Sequence, residues 1–303
     1  MDTINIPYAI IAGHIEDLRR NGYCVIKDAL PSSLIAALED DLEPTFAVTP
    51  FGTGGFYGET TKRFGRLLIR SQHAQALVQH QLILAIVEAI LSPWCERIQL
   101  NTTQAIEVHP QAPAQVPHRD QDMWRGPIGE VEYLVNVMWP LTRFTRDNGA
   151  TRIWPDTHGG KALAPQPDTS PIAIEMEPGS ALLFLGSALH GAGANTTLLV
   201  RRGLVIGYSL GWLKPYENQW LAYPPEVAKT FPPDLAALVG YRQHRPNLGN
   251  FEGQCPSVLL TNTDTSALGA QDTLRPDQQA MVEAYVQSQA CTHPGRLVRE
   301  DRP

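Results

Sequence analysis

Cysteine is scarce, with four in 303 residues, and Cys24, Cys95, Cys255 and Cys291 stand far apart with no CxxC pair. That spacing excludes a disulfide framework of the secreted kind and a thiolate zinc site, and leaves reduced thiols in a cytoplasmic protein as the expectation. Charge is sparse too. Only 18% of the residues are charged, the net charge is −7, and the arginines are scattered, so nothing resembles an electrostatic footprint for nucleic acid. The chain opens with Asp2, Glu16 and Asp17 ahead of any long apolar run, which argues against a signal peptide and a membrane helix. No Ser/Gly-rich linker, charge block or internal repeat divides it, so one domain over residues 1–303 is expected.

Apolar material is plentiful at 43%, enough for a sizeable core. The first 95 residues or so read as largely helical. Glu16–Arg20 ends at Gly22 and runs into a short strand to Ile26, and Pro31-Ser-Ser33 opens a helix to about Glu43 behind a serine cap. From Ala74 to Leu91 apolar residues recur at three and four, which predicts one long helix. The Gly-rich stretch Phe51–Gly58 lacks the Lys-Ser/Thr ending of a phosphate loop and is expected to be a mobile loop, a candidate lid.

The texture then changes. Residues 98–108, 132–141, 151–154, 172–176, 181–185 and 199–213 are short β-rich runs divided by Pro, Gly, Asp and Asn, without regular intervening helices. A mainly β fold follows, with a jelly-roll, cupin-like double-stranded β-helix core over about 96–213, flanked by α-helices. Helical segments, among them 234–243 and 276–289, return from 214 to 303.

The informative motif is Gln115-Val-Pro-His-Arg-Asp120, where His118 and Asp120, two apart, share one side of an extended strand. An ordinary ion pair with Arg119 is the plain alternative. His190, just past a strand in a turn of small residues, supplies a third ligand. Two imidazoles and a carboxylate on one face of an octahedron suit Fe(II) and leave three positions open. Eleven residues on, Arg201 offers a planar fork for a carboxylate, and strand alternation lets only one of Arg201 and Arg202 face inward, Arg201 being the expected one. The remaining histidines, at positions 14, 73, 80, 109, 158, 244 and 293, read as surface, turn or packing residues.

Taken together these segments resemble the phytanoyl-CoA dioxygenase-like Fe(II)/2-oxoglutarate oxygenases. The likeness is carried by Thr61-Lys-Arg63 through Ser71, the His-Arg-Asp at 118–120 with Gln115, Asp147-Asn-Gly-Ala-Thr151 leading to Pro155-Asp-Thr-His158, Pro178-Gly-Ser180, and His190 through Arg201. Many relatives have Pro-Gly-Ser-His at 155–158, a departure confined to a turn. The resemblance implies Fe(II) on His118, Asp120 and His190, and 2-oxoglutarate held by Gln115, Thr151 and Arg201 with Arg63 nearby. It also implies O2 as the oxidant, with succinate and CO2 released as a small molecule is oxidised. Iron halogenases lack the carboxylate ligand, so Asp120 argues against halogenation. Alternation on 136–138 puts Asn136 and Met138 on one face as candidate substrate contacts. Trp124 is a candidate wall or core residue, and Phe56, Tyr57, Met123 and Trp212 point to a hydrophobic metabolite. The alternatives are a metal-dependent hydrolase or isomerase on a cupin-like barrel and a non-catalytic jelly-roll binding protein. Arg201 with Thr151 argues against both. The sequence is compatible with a homodimer.

Overall fold

The computed structural model of the chain describes residues 6–167, 169–262 and 264–292, so His293 lies outside it, as does the side chain of Cys291. Helix α1 (Tyr8–Asn21) ends where Gly22 turns left-handed, at φ 82°, and its N–H caps the Leu18 carbonyl. A Cβ at Gly22 would stand 2.8 Å from His158 Nδ1, so glycine alone lets the chain pass directly into β1 (Tyr23–Ile26). Helix α2 (Ser32–Val48) begins after Pro31 with no side-chain cap, not behind a serine, and runs through Pro44 beyond the expected end. Proline inside a helix costs about 3 kcal/mol. Burial of Phe46 against Phe64, with ring centroids 4.8 Å apart, contributes about 1.5–3 kcal/mol in return.

Strand β2 (Thr61–Phe64), not expected from the sequence, leads to α3 (Leu67–Arg70), α4 (Ala74–Val78) and α5 (Gln81–Leu91). The single helix expected over 74–91 is therefore broken. His80 adopts an extended conformation, its Nε2 meets the Ala29 carbonyl at 3.2 Å, and its ring lies 5.7 Å from that of Trp139. Apolar spacing runs unchanged through this joint, which is why periodicity hides it.

The remaining strands are β3 (Ile98–Val108), β4 (Leu134–Pro140), β5 (Thr151–Ile153), β6 (Ile172–Ala173), β7 (Ala181–Leu185), β8 (His190–Ala192) and β9 (Arg201–Leu210). β3 and β7 match their expected bounds, β4, β5, β6 and β9 are shorter, and β8 forms where a turn was expected; β6 keeps two residues, although Met176 still bridges Phe144. The short helices α6 (Gln219–Ala222), α7 (Pro225–Ala228), α8 (Pro233–Leu238) and α9 (Val258–Thr261) precede α10 (Pro276–Thr292). The helix expected to reach residue 243 thus stops at Leu238, just ahead of Gly240 with its φ of 106°. Among the described residues no helix is long and apolar enough to cross a membrane.

The strands form two antiparallel sheets, one in the order β1-β7-β4-β9-β3-β2 and one in the order β6-β5-β8. Both edge strands of the larger sheet come from the N-terminal part of the chain. Alternation sorts its side chains into two cores. Val135, Val137, Trp139, Leu183, Leu204 and Tyr208 pack with the helices, while Met138, Leu182 and Phe184 meet Phe144, Ile153 and Ile174 on the other side. The space between the sheets is thus partly filled by apolar side chains and partly left open. Leu183, fully buried on the helical side, should lose about 2–5 kcal/mol of stability as Leu183→Ala, measured by denaturant unfolding.

Candidate active site

Two backbone hydrogen bonds assemble the cluster. His118 N–H donates to the His190 carbonyl at 2.9 Å and His190 N–H returns one at 3.0 Å, an antiparallel bridge beside β8. The approach is close, since a Cβ on Gly191 would stand 3.2 Å from the Gln115 carbonyl, so the small residues after His190 have a steric cause. Asp120 does not continue a strand as expected. It begins a 3₁₀ turn, Asp120–Met123, which swings its carboxylate under both rings.

His118 Nδ1 lies 2.9 Å from the Val116 carbonyl and His190 Nδ1 3.0 Å from the Ala188 carbonyl. A carbonyl only accepts, so both rings carry their proton on Nδ1 and turn Nε2 inward. The inward nitrogens lie 3.3 and 3.5 Å from Asp120 Oδ1 and Oδ2. Burial alone would raise the Asp120 carboxyl, but attraction to and hydrogen bonds from the two rings when Nε2 is protonated as well outweigh it and hold the group well below the usual carboxylate range. Among the described residues this is the one His/Cys/Asp/Glu group whose donor atoms, all within 4.8 Å of one another, could hold a metal ion. Arg119 offers no ion pair to Asp120, because it donates to the carbonyls of Ser187 and Thr157. His73 and His109 each meet one carboxylate, Asp41 and Glu107, without a third group.

The cluster opens on a cavity of about 360 Å³ that Gln115, Thr151, Arg201, Arg63, Asn136 and Met138 also line. Arg201 is only 3% exposed, its guanidinium lies 4.3 Å from the Phe144 ring centre, and Nε and Nη1 have no hydrogen-bond partner among the described residues. Burial, reinforced by Arg63, pushes it down to about 9, so it remains a cation near neutrality. Arg63 donates to Gln104 Oε1 at 3.1 Å, while its Nε is also unpartnered. Arg202 faces away and pairs with Glu107 at 2.7 Å and with Glu43, as alternation requires.

Other candidates are placed differently. Asn136 donates to Asp120 Oδ2, and the Gln115 amide is engaged with Ala192 N–H and the Phe56 carbonyl. Trp124 and Trp212 do not line the cavity: their indole N–H groups donate to the carbonyls of Lys214 and Trp94. Phe56 and Tyr57 do line it, with Phe56 edge-on to His118 at 4.9 Å and the Tyr57 hydroxyl against that of Tyr216. Gln104 and Tyr216 were not singled out by the sequence, since nothing local marks them and only the sheet and the C-terminal segment bring them in.

The sequence profile described as "Phytanoyl-CoA dioxygenase (PhyH)" matches residues 18–203. The chain belongs to the phytanoyl-CoA dioxygenase family. It is accordingly a non-haem Fe(II)/2-oxoglutarate-dependent dioxygenase. Family relatives include the dioxygenase trt7 of Aspergillus terreus, 31% identical over 74% of this chain and 82% of the relative. The multifunctional dioxygenase ausE of Penicillium brasilianum is 32% identical over 74% and 80%. Among solved structures, the fold is similar to the 2-oxoglutarate-dependent epimerase SnoN from nogalamycin biosynthesis, with TM-score 0.57, 17% identity and coverage of 69% and 87%. It is also similar to HygX from Streptomyces hygroscopicus, solved with nickel, 2-oxoglutarate and hygromycin B, with TM-score 0.55, 14% identity and coverage of 68% and 89%. The donor set fits iron, and a buried and a half-buried cation, each with an unpartnered N–H group, fit a dicarboxylate.

One buried acid supports the site from behind. Glu132 accepts from the Ser187 hydroxyl at 2.5 Å and the Ser187 N–H at 3.1 Å, in the turn that leads to His190, and burial pushes it up to about 7. A carboxyl raised on folding binds more protons folded than unfolded, so its contribution is fully present below about pH 4.5 and is lost as pH rises to about 7. Glu132→Gln should remove that loss, of order 3 kcal/mol, from the difference between wild-type and variant stability profiles measured by urea unfolding over this interval.

Proposed function

We propose that the chain oxidises a C–H bond of a small hydrophobic metabolite, by hydroxylation, desaturation or a related outcome, with release of succinate and CO2. The carrying observation is the buried, unpartnered Arg201 guanidinium in the same cavity as His118, Asp120 and His190. An uncompensated buried cation is costly, and an anionic ligand offsets that cost. When bound, iron with 2-oxoglutarate and O2 supplies the oxidising power, the cosubstrate being decarboxylated as substrate is oxidised. His118, Asp120 and His190 hold the metal. Arg201 takes the distal carboxylate of 2-oxoglutarate, Thr151 stands beside it on β5, and Arg63 adds a second positive charge. Gln115 ties Phe56 to β8 and so shapes the wall next to the cosubstrate.

Phe56, Tyr57, Met123 and Met138 give the cavity an apolar, aromatic side that suits a hydrophobic substrate and excludes water from the reacting centre. In this reading the two sheets form a double-stranded β-helix, residues 1–303 make one domain, and the enzyme works in the cytoplasm, as a monomer or a homodimer.

Anaerobic addition of Fe(II) and 2-oxoglutarate should produce the weak visible charge-transfer band of the chelate. Absence of the band in wild type, or an undiminished band in His190→Ala, would overturn the assignment. Arg201→Ala should raise the 2-oxoglutarate requirement by an amount equivalent to about 2–5 kcal/mol in substrate-dependent succinate release. An unchanged requirement would transfer the role to Arg63.

A further inference from the structure

The Asp120 carboxylate has a partner besides the two imidazoles. Asn136, only 2% exposed on β4, donates through Nδ2 to Asp120 Oδ2 at 2.6 Å. An ionised carboxylate only accepts, so the NH2 end of the amide must face it. Space for that amide comes from across the sheet. Asn136 is in register with Gly207 of β9, where any Cβ would stand 2.9 Å from Asn136 Oδ1. Asp120 Oδ1 lies 3.3 Å from His118 Nε2 with no amide on it, whereas Oδ2, 3.5 Å from His190 Nε2, is the oxygen that the Asn136 amide occupies.

We propose that Asn136 is a positioning residue for the metal site: by holding Asp120 Oδ2 it leaves Oδ1 as the single ligating oxygen of the carboxylate. This rests on the iron assignment above, and it gives Asn136 to the carboxylate instead of to the substrate. A facial triad is useful because three of six positions stay open. A carboxylate free to rotate can place both oxygens on the metal and close one of those positions. The Asn136 amide opposes that rotation, and Gly207 leaves the room the amide needs to do so. Partners of this kind orient the ligands they touch, and their loss typically weakens metal binding 10–100-fold.

The test uses the full chain and Mn(II) alone, following affinity and the water-proton relaxation of the bound ion, which reports how many water molecules share the metal. Asn136→Leu, close in shape but without a donor, should weaken Mn(II) binding by at least about tenfold. It should also lower the relaxation per bound ion, as the second carboxylate oxygen displaces a water. Gly207→Ala, which crowds the amide while keeping it, should move both readings in the same direction. Asn136→Leu with affinity within about twofold of wild type and unchanged relaxation overturns the proposal, whereas a packing role alone would shift only thermal stability. Should Asn136→Leu not unfold cooperatively, Gly207→Ala decides, and unchanged readings in it overturn the proposal. A wild-type chain that binds no Mn(II) overturns the iron assignment itself and this inference with it.

Discussion

The site depends on the paired backbone hydrogen bonds between His118 and His190. They join a loop that follows β3 to a three-residue strand 72 positions later, and they bring two imidazoles to a ring-centroid distance of 4.4 Å. A side-chain contact could not hold that register as firmly, because each bond also satisfies a backbone group that would otherwise need a partner. Several features of the chain serve this one junction. Gly191 allows the close approach, Glu132 holds the turn before His190 through Ser187, and Arg119 ties its own segment to the Ser187 carbonyl. The 3₁₀ turn at Asp120 then adds the carboxylate.

Electrostatics divides the interior into two unlike halves. On the outer face of the larger sheet Glu107, itself buried, is paired with Arg202 and Lys62, so the charges there are mutually satisfied. On the inner face Arg201 and Arg63 form no ion pair among the described residues, and the half-buried Asp120 carboxylate is engaged by the imidazoles and Asn136. Such an imbalance costs stability, and an anionic ligand would offset it. Adjacent arginines on one strand thus differ: Arg202 is paired with acids, and Arg201 lines the cavity with no acid on it.

The Gly-rich stretch illustrates how an undifferentiated segment acquires a role. Phe56 touches the first imidazole and Tyr57 meets Tyr216, so the segment forms a wall of the cavity. Tyr216 is held there because its N–H, with that of Glu217, bonds to Asn101, next to the point where the β3–β9 register shifts. An irregularity in one strand thereby docks a distant part of the chain over the cavity.

Strand runs were legible because alternation and turn residues are local, and β3 and β7 lie where those signals put them. The His-x-Asp spacing with a later histidine and arginine was likewise readable, since ligand types and the alternation of Arg201 and Arg202 follow from chemistry and strand geometry. Short or broken elements were not. β8 contains no β-branched residue, β2 is a four-residue edge, and the apolar period runs through the break at His80 without a mark. By itself the sequence determined the residue types able to bind a metal and an anion, and the faces those strands present. Tertiary structure alone decided that Asn136 serves Asp120, that Trp124 stays out of the cavity, and that Gln104 and Tyr216 enter it. Those outcomes depend on register across the sheet and on which segment docks over it, and neither is encoded in local spacing.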